Sequence, residues 1–455
     1  MPATLPGMTV LDVALSIVAI AVFVALMRPA VRRSEGWSAT VTPLASIMGS
    51  GFLISGPLLA SVVGVWMPLA MLALLAIAYG IGGAIRFNIR ELEPAIDSTD
   101  GDDAGGDAPN SDAPNSNHTD SDAPNSGRPN RIEHRLHQSH RSAAIAGPVR
   151  LLGQASRFVL AAAYVVSVTY YIMLLCQFAL QPAGLAGGAW PSVVATTILG
   201  SIAAVGVLFG LSMIERVERT VISANLAIIA ATIVGLAWFN VSKWSDGSWS
   251  LPALEPLGDT WTMVRMLLGL LIVVQGFETS RFLGSEFDAD LRIRSMRWAQ
   301  AIAATIYVVF LSLLLVAIEP DQATADAGVT TILKVVAPVA GVLPILLTVA
   351  AVGSQFSAAV ADTAGCGGLL ERLIGPLSAR MSYLAIGTLT IALAWVVDVR
   401  QIIGYASRAF AVFYAIQCAM AATHAWRTGR RPLAVGFATL AAVAALVAVV
   451  GKSSE

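Results

Sequence analysis

The chain has 455 residues, of which 56% are hydrophobic and 13% are charged, and its formal net charge at pH 7 is -1. Soluble domains carry about 25% charged residues, so this composition indicates an integral membrane protein. A charge so close to zero gives no indication of a nucleic-acid partner. The cysteines Cys176, Cys366 and Cys418 form no CxxC pair and are expected to be small apolar packing residues.

Long apolar segments follow one another along most of the chain. A helix needs about 20 apolar residues to cross the core of a bilayer. The sequence therefore predicts an all-α integral membrane protein with about 12 transmembrane helices, at 9–29, 38–63, 65–86, 151–180, 191–211, 218–239, 262–283, 298–318, 330–360, 382–398, 402–424 and 432–450. The first segment lacks a basic n-region and is too long for the apolar part of a signal peptide, so we expect it to be retained.

The loops between these segments alternate in their content of basic residues. If the first helix runs from outside to inside, arginines concentrate in the cytoplasmic loops. The external loops then hold only Lys243, Arg265, Arg400 and Lys452. The positive-inside rule thus predicts a multi-pass protein of the cell membrane, taken as a cell inner membrane, with both termini external.

One hydrophilic segment differs in kind from the rest of the chain. Residues 97–141 are rich in Asp, Asn, Ser, Pro and Gly, and Asp-Ala-Pro-Asn-Ser is repeated at 107–111, 112–116 and 122–126. Such a composition cannot bury enough apolar surface to offset the loss of chain entropy. We therefore expect 95–149 to be a disordered cytoplasmic loop.

Two glycine-bearing stretches interrupt apolar segments. Gly-Ser-Gly occupies 49–51, and Gln-Gly-Phe-Glu occupies 275–278. Irregular backbone at membrane depth survives only inside protein or beside a water-filled cavity, and a matched pair of broken helices points to a transport site. If the first helix unwinds, its free amides suit an anion and its free carbonyls suit a cation. Close helix packing through small residues is the alternative at 49–51.

Ionisable residues accompany the second stretch. Glu278 and Arg281 are three residues apart and can pair on one face of a helix. Because charge inside a membrane is costly, a functional site is the first hypothesis, and a purely structural ion pair is the alternative. Arg408 also lies in an apolar segment and needs a partner, for which Glu278 and Asp362 are the candidates.

These stretches resemble motifs of the amino acid–polyamine–organocation (APC) superfamily of transporters. Gly-Ser-Gly-Phe at 49–52 is similar to the Gly-x-Gly break in that superfamily's first core helix. Gly-Phe-Glu at 276–278, with Gly-Ser-Glu at 284–286 and the basic loop 292–297, resembles its sixth core helix and the following loop. The resemblance covers about residues 37–450.

The resemblance implies a leucine-transporter-like fold. Its core is a 5+5 inverted repeat with broken first and sixth core helices, to which this chain adds one N-terminal and one C-terminal helix. The expected parts are an extra N-terminal transmembrane helix at 1–36, two core helices at 37–94, the loop at 95–149, the remaining core helices at 150–424, and a C-terminal helix and tail at 425–455.

The implied function is secondary active transport by alternating access. The protein would be an ion-coupled symporter or permease for a small polar or zwitterionic organic solute, such as an amino acid or amine. A membrane sensor or channel-like protein on the same core is the alternative, with the long loop as its signalling element. No enzyme is expected, because no metal cluster, Walker-type phosphate loop or Gly-x-Ser-x-Gly motif is found in the sequence.

The resemblance also implies where the solute binds. It would lie between the two broken helices, near the middle of the membrane. The expected substrate-binding residues are Gly49, Ser50, Gly51, Gln275, Gly276, Glu278 and Tyr164. For Tyr164 the alternative is a place among the aromatic residues at the membrane–water interface.

A coupling ion is expected beside this site. In sodium-coupled relatives, hydroxyls of the eighth core helix join first-helix carbonyls around sodium. The resemblance implies this role for Ser354 and Ser357, with carbonyls near Ser46 and Gly49. Serines bonding to their own helix are the alternative. For proton coupling the expected residues are Glu278 and Asp362. No other cofactor is expected, the partners are the solute and the lipid bilayer, and the oligomeric state is left open.

Overall fold

A computed structural model of the protein describes residues 9–93, 131–210, 215–256, 258–284, 286–324, 328–374 and 378–452. For 131–150, 215–218, Ser50, Arg372 and Ala379 it describes the backbone alone. Every regular element in these ranges is a helix. The α-helices, numbered in chain order, are α1 Val10–Leu26, α2 Pro29–Arg32, α3 Glu35–Val63, α4 Met67–Glu91, α5 Arg131–Leu180, α6 Trp190–Phe209, α7 Glu215–Ser245, α8 Thr260–Gly269, α9 Ala289–Leu314, α10 Thr331–Val336, α11 Leu343–Leu373, α12 Ala379–Val396, α13 Val399–Arg427 and α14 Arg431–Val450.

Most of these helices are long and apolar enough to span a membrane. Nine candidate spans occur in the part of the chain that the structure describes. One of them, Glu35–Glu91, contains both α3 and α4, which a 3-10 turn at Gly64–Trp66 separates. Two shorter apolar helices, Val10–Leu26 and Arg380–Val396, stand beside these nine. The helices support the predicted multi-pass membrane protein, whereas the 12-helix inverted repeat stays a prediction.

Two predicted boundaries differ from the structure. Helix α5 begins at Arg131, so 131–149, predicted to belong to the disordered loop, is helical. The remainder of that predicted loop, 95–130, lies outside the described residues. The predicted helix at 330–360 is in fact two helices, α10 and α11, because the chain turns around Pro338, whose ring removes a main-chain donor.

The predicted break in the first core helix is absent from this structure. Helix α3 continues through Gly49 and Gly51 as regular α-helix. A β-carbon built on Gly51 would lie 2.7 Å from the Cα of Val273, and one built on Gly49 would lie 3.4 Å from the Cβ of Ala358. The glycines therefore let neighbouring backbones approach closely, which is the packing role weighed against a break.

Helix α3 lies at the centre of the bundle. It packs against α9, α11 and the irregular segment that follows α8. Helix α5 packs against α11 and α13 on another side, and α14 lies along α13. The polar interior described below is thus enclosed by α3, α5, α11 and α13.

Replacing Gly51 with alanine is expected to destabilise the protein by about 1–3 kcal/mol, the usual cost of overpacking, because the new methyl group would meet the backbone at Val273. The matched control is Gly200→Ala in α6, where a β-carbon meets nothing within 4 Å and helix propensity improves by about 1 kcal/mol. Thermal unfolding in detergent measures both changes. Equal melting temperatures for the two variants would contradict the close approach of α3 to Val273.

Candidate functional site

The chain loses its α-helical structure inside an apolar segment, directly after α8. Residues Leu270–Val274 form a 3-10 turn, and Phe277–Phe282 form another. Between them Gln275 is extended, with φ -82° and ψ 169°, and Gly276 has φ +117°. The break predicted around 275–279 is therefore present.

Gly276 is held against α3. A β-carbon there would lie 2.6 Å from the carbonyl carbon of Ser46, and side-chain-bearing residues rarely adopt its φ, so only glycine fits. The hydroxyl of Tyr307 donates to the carbonyls of Val273, at 2.7 Å, and Ile47, at 3.2 Å. One phenol thus joins the broken segment to α3 and satisfies a carbonyl beside the break.

The carboxyl group of Glu278 forms hydrogen bonds at the break. Its Oε2 accepts hydrogen bonds from the main-chain N–H of Gly276, at 3.0 Å, and from the hydroxyl of Tyr414, at 2.7 Å. The Tyr414 ring stacks on Phe277, with centroids 5.3 Å apart. Neutral donors hold this buried carboxyl group, so the predicted pairing of Glu278 with Arg281 is wrong. A spacing of three places both side chains on one face of a 3-10 turn as well. The pair is absent because Gly276 and Tyr414 hold the carboxyl group of Glu278 and Arg281 meets Glu93 instead.

Arg281 is paired with a different carboxylate. Its Nε lies 3.5 Å from Oε1 of Glu93, and its guanidinium also bonds to the side chain of Gln417. Arg292 reaches the same carboxylate at 2.7 Å and donates to the carbonyl of Arg281 at 2.9 Å. Glu93, just after the end of α4, therefore forms ion pairs with two largely buried arginines.

Two tyrosines of α5 face this interior. Tyr164 and Tyr171 are fully buried, so the interfacial alternative for Tyr164 is wrong. The amide of Gln275 donates to the hydroxyl of Tyr171 at 3.1 Å. Tyr164 packs edge-on against Phe410, with ring centroids 6.1 Å apart.

Asp362 lies on α11 beside the same tyrosines. Its carboxyl group is buried and accepts a short hydrogen bond from the hydroxyl of Ser167. The Ser167 hydroxyl also bonds to the carbonyl of Tyr164 at 3.1 Å, and the Phe410 ring contacts both Tyr164 and Tyr414, the partner of Glu278. The structure therefore brings together three predicted site residues, Tyr164, Glu278 and Asp362, around one polar interior.

A small polar cavity lies between α3, α7 and α11. Its volume is about 20 Å³, enough for one water-sized particle. The oxygen-bearing side chains that line it are Thr42, Ser46, Asn225, Thr279, Ser354 and Ser357. The predicted sodium ligands Ser354 and Ser357 thus share one cavity with Ser46.

The main-chain oxygen of Gly49 has a different partner from the one predicted. It accepts a hydrogen bond from the side-chain amide of Gln355 at 2.7 Å. Main-chain carbonyls near Ser46 and Gly49 were both expected to face the ion. Ser46 lines the cavity, whereas the carbonyl of Gly49 accepts from Gln355. Gly51 packs against Val273, and the side chain of Ser50 lies outside the described residues.

Arg408 has neither of the partners proposed for it. Its Nε and Nη2 both donate to the carbonyl of Gly451, at 2.9 and 2.7 Å. Arg265 of α8 donates to the carbonyl of Val450 at 3.2 Å, and its own carbonyl accepts from the N–H of Lys452 at 2.9 Å. The segment 450–452 therefore fastens α8 to α13.

Several residues of this site were not singled out in the sequence. They are Tyr307, Tyr414, Gln355 and Glu93, and each donates to or accepts from the broken segment, α3 or Arg281. Their only sequence signal is a polar group within or beside an apolar segment. That signal gives no partner, because each partner lies far away along the chain.

Comparison with known proteins assigns the family. A family model described as an APC superfamily transporter matches residues 29–108 and 130–451. The chain belongs to the APC superfamily. The match covers most of the chain and confirms the resemblance drawn from its motifs. An uncharacterized protein of Aquifex aeolicus (strain VF5) is 32% identical over 434 residues, which are 94% of each chain. This APC protein is thus a multi-pass membrane transporter, of a superfamily whose members are generally not enzymes.

In this APC protein, Glu93→Gln is expected to lower stability by about 2–3 kcal/mol, because two largely buried arginines would lose their only carboxylate among the described residues. The value lies at the low end for a broken buried ion pair, since the Glu93 side chain is 21% exposed. The control is Asp290→Asn, whose pair with Arg90 is exposed and is worth about 1 kcal/mol or less. Thermal unfolding of both variants measures the difference, and a larger loss in Asp290→Asn would contradict this account.

Proposed function

We propose that this APC protein is a secondary active transporter, a symporter or permease, that moves a small polar or zwitterionic organic solute such as an amino acid or amine by alternating access. The observation that carries the proposal is the break after α8, which packs directly on α3 through Gly276 and Ser46. Irregular backbone at membrane depth is tolerated where it lines a transport site, and broken helices hold solute and ion there.

The proposed architecture is a 12-helix bundle with an inverted repeat. Helices α3 to α7 form its first half. Helices α8 to α13 form its second half, in which α8 and the 3-10 turns make one broken span and α10 is a short connecting helix. Helices α1 and α14 stand outside the repeat. Both termini are external and the loop 95–149 is cytoplasmic in this proposal.

Helix α3 is the counterpart of the broken span in such a repeat. It contains Pro43 and Pro57, each of which removes one main-chain donor from the helix. The carbonyls of Ile47 and Gly49 already accept side-chain hydrogen bonds from Tyr307 and Gln355. We propose that α3 opens around 49–51 in another conformation of the transport cycle, when these partners move.

The solute is proposed to bind to the residues around Glu278. A carboxylate attracts the ammonium group of an amine or amino acid, and Gln275 and Tyr164 supply polar contacts nearby. Main-chain groups of Gly276 are also at this surface. The neighbouring cavity of about 20 Å³ is too small for such a solute, so the proposed transport requires α3 and the broken span to separate.

A coupling ion is proposed at the polar cavity or at the buried carboxyl groups. Hydroxyl and carbonyl oxygens suit a sodium ion, and Ser354, Ser357 and the main chain near Ser46 would hold it. Proton coupling would instead use Glu278 or Asp362, which are buried and hydrogen-bonded to neutral donors. The two alternatives predict different dependences on sodium and on pH.

The first test is a thermal-shift screen of the detergent-purified protein against amino acids, amines and nucleobases, with and without sodium. If sodium binds at the cavity, Ser354→Ala combined with Ser357→Ala will abolish sodium-dependent stabilisation. Ser312→Ala is the matched control, because its exposed hydroxyl bonds only to its own helix, at 2.7 Å from the carbonyl of Val308. Sodium-dependent stabilisation that survives the double substitution would contradict this ion site.

The second test uses proteoliposomes and the solute found in that screen. If Glu278 carries a coupling proton and does not hold an ammonium group of the solute, Glu278→Gln will keep solute exchange, because the amide oxygen still accepts from Gly276 and Tyr414, but accumulation driven by a pH gradient will be lost. If the carboxylate holds that ammonium group, the same variant will lose exchange as well. The control is Glu286→Gln, at an exposed position after the broken span. A ligand that binds the protein without any uptake into proteoliposomes would instead favour a sensor.

A further inference from the structure

One buried arginine has no carboxylate partner in the part of the chain that the structure describes. Arg86, near the end of α4, is 7% exposed. Its Nη1 donates to Oε1 of Gln300 at 2.5 Å, its Nη2 donates to the carbonyl of Tyr79 at 3.2 Å, and its guanidinium lies 4.7 Å from the Tyr79 ring centroid. Among the described residues, no Asp or Glu oxygen lies within ion-pair distance of it, unlike Arg281 and Arg292. Within the described ranges, the positive charge of Arg86 is therefore solvated by neutral groups.

A second arginine adds to this positive charge. Arg297 lies on α9 one turn before Gln300, the residue that accepts from Arg86, and therefore on the same side of that helix. Its side chain is exposed, and the neighbouring Trp298 is 65% exposed. Exposed aromatic and basic side chains together are typical of the membrane–water interface. An anion at this level of the membrane would lie beside two guanidinium groups that have no carboxylate within ion-pair distance among the described residues.

An apolar cavity lies next to the residues that bond to Arg86. Tyr79 and Gln300, which both bond to Arg86, line its mouth between α4 and α9, and its volume is about 240 Å³. Its walls are almost entirely hydrocarbon and include Leu72, Ala301 and Ala304. Leu72 and Tyr79 are half exposed on the outer face of the bundle, so the cavity opens sideways toward the surrounding lipid.

We propose that this groove binds one anionic phospholipid, with its phosphate at Arg86 and Arg297 and one acyl chain in the cavity. The arginine-rich end of the helices belongs to the cytoplasmic leaflet by the positive-inside rule, and that leaflet supplies anionic lipids. A small water-soluble anion would leave the apolar cavity unfilled. A zwitterionic lipid would bring no net charge to the two arginines.

The position of the acyl chain links the lipid to the broken span. The inner end of the cavity is formed by Ile47 of α3 and Val274 of the first 3-10 turn. Both lie next to the hydrogen bonds that Tyr307 makes to the carbonyls of Ile47 and Val273. A chain seated there fills the space beside the contact between α3 and the break, and it therefore stabilises that contact.

The experiment is native mass spectrometry of the full-length protein in detergent, titrated with phosphatidylglycerol or phosphatidylcholine carrying the same acyl chains. The wild-type protein is expected to retain one phosphatidylglycerol molecule in preference to phosphatidylcholine. Arg297→Gln is expected to weaken phosphatidylglycerol retention about fivefold, the effect of losing about 1 kcal/mol per basic residue. This residue is exposed, so its substitution leaves the fold intact.

A second variant tests the acyl chain separately from the phosphate. Ala304→Phe fills the cavity from α9 and is expected to reduce retention of both lipids. The control is Arg28→Gln, which removes one exposed arginine remote from the groove. Equal retention of the two lipids by the wild-type protein would overturn the proposal. So would unchanged phosphatidylglycerol retention in either Arg297→Gln or Ala304→Phe.

Discussion

A main-chain donor or acceptor at membrane depth must find its hydrogen-bond partner within the protein, and the structure around α3 is arranged by this constraint. The break after α8 frees the N–H of Gly276 and the carbonyl of Val273. Glu278 accepts from the former, and Tyr307 donates to the latter. These two side chains bring α9 and the broken span against α3, and Tyr414 brings α13 to the same carboxyl group. Removing any of these partners would leave a polar group exposed to hydrocarbon.

The sequence predicted the class of fold and one of the two breaks, and physical reasons explain where it failed. At Gly276 a glycine adjoins a carboxyl group at membrane depth, and both features point to irregular backbone. At 49–51 the glycines permit either unwinding or close packing, and only the nearness of Val273 decides for packing in this structure. Composition and loop charge can be read from local sequence, whereas the partner of a small residue depends on the fold.

The partners of charged residues also depend on the fold and were not predictable from local sequence. The prediction that Arg281 pairs with Glu278 used only their spacing along the chain, whereas Gly276 and Tyr414 hold the carboxyl group of Glu278. The actual partner of Arg281, Glu93, lies far away along the chain, just after the end of α4. Tyr164 and Glu278 were expected at the solute site, and Glu278 and Asp362 in proton coupling; these roles stay predictions, although Ser167 and Phe410 do connect the three residues in space.

Residues 450–452, at the end of α14, connect this helix to α8 and α13. Two main-chain carbonyls in this segment hold the guanidinium groups of Arg265 and Arg408, and Gly269 fits closely against Lys452. Helix α14 thus brings backbone oxygens to α8 and α13 where a carboxylate would otherwise be needed. A shortened chain ending before residue 450 would leave these two half-buried guanidinium groups without their main-chain acceptors, so α14 solvates charges of its neighbours besides forming an apolar helix of its own.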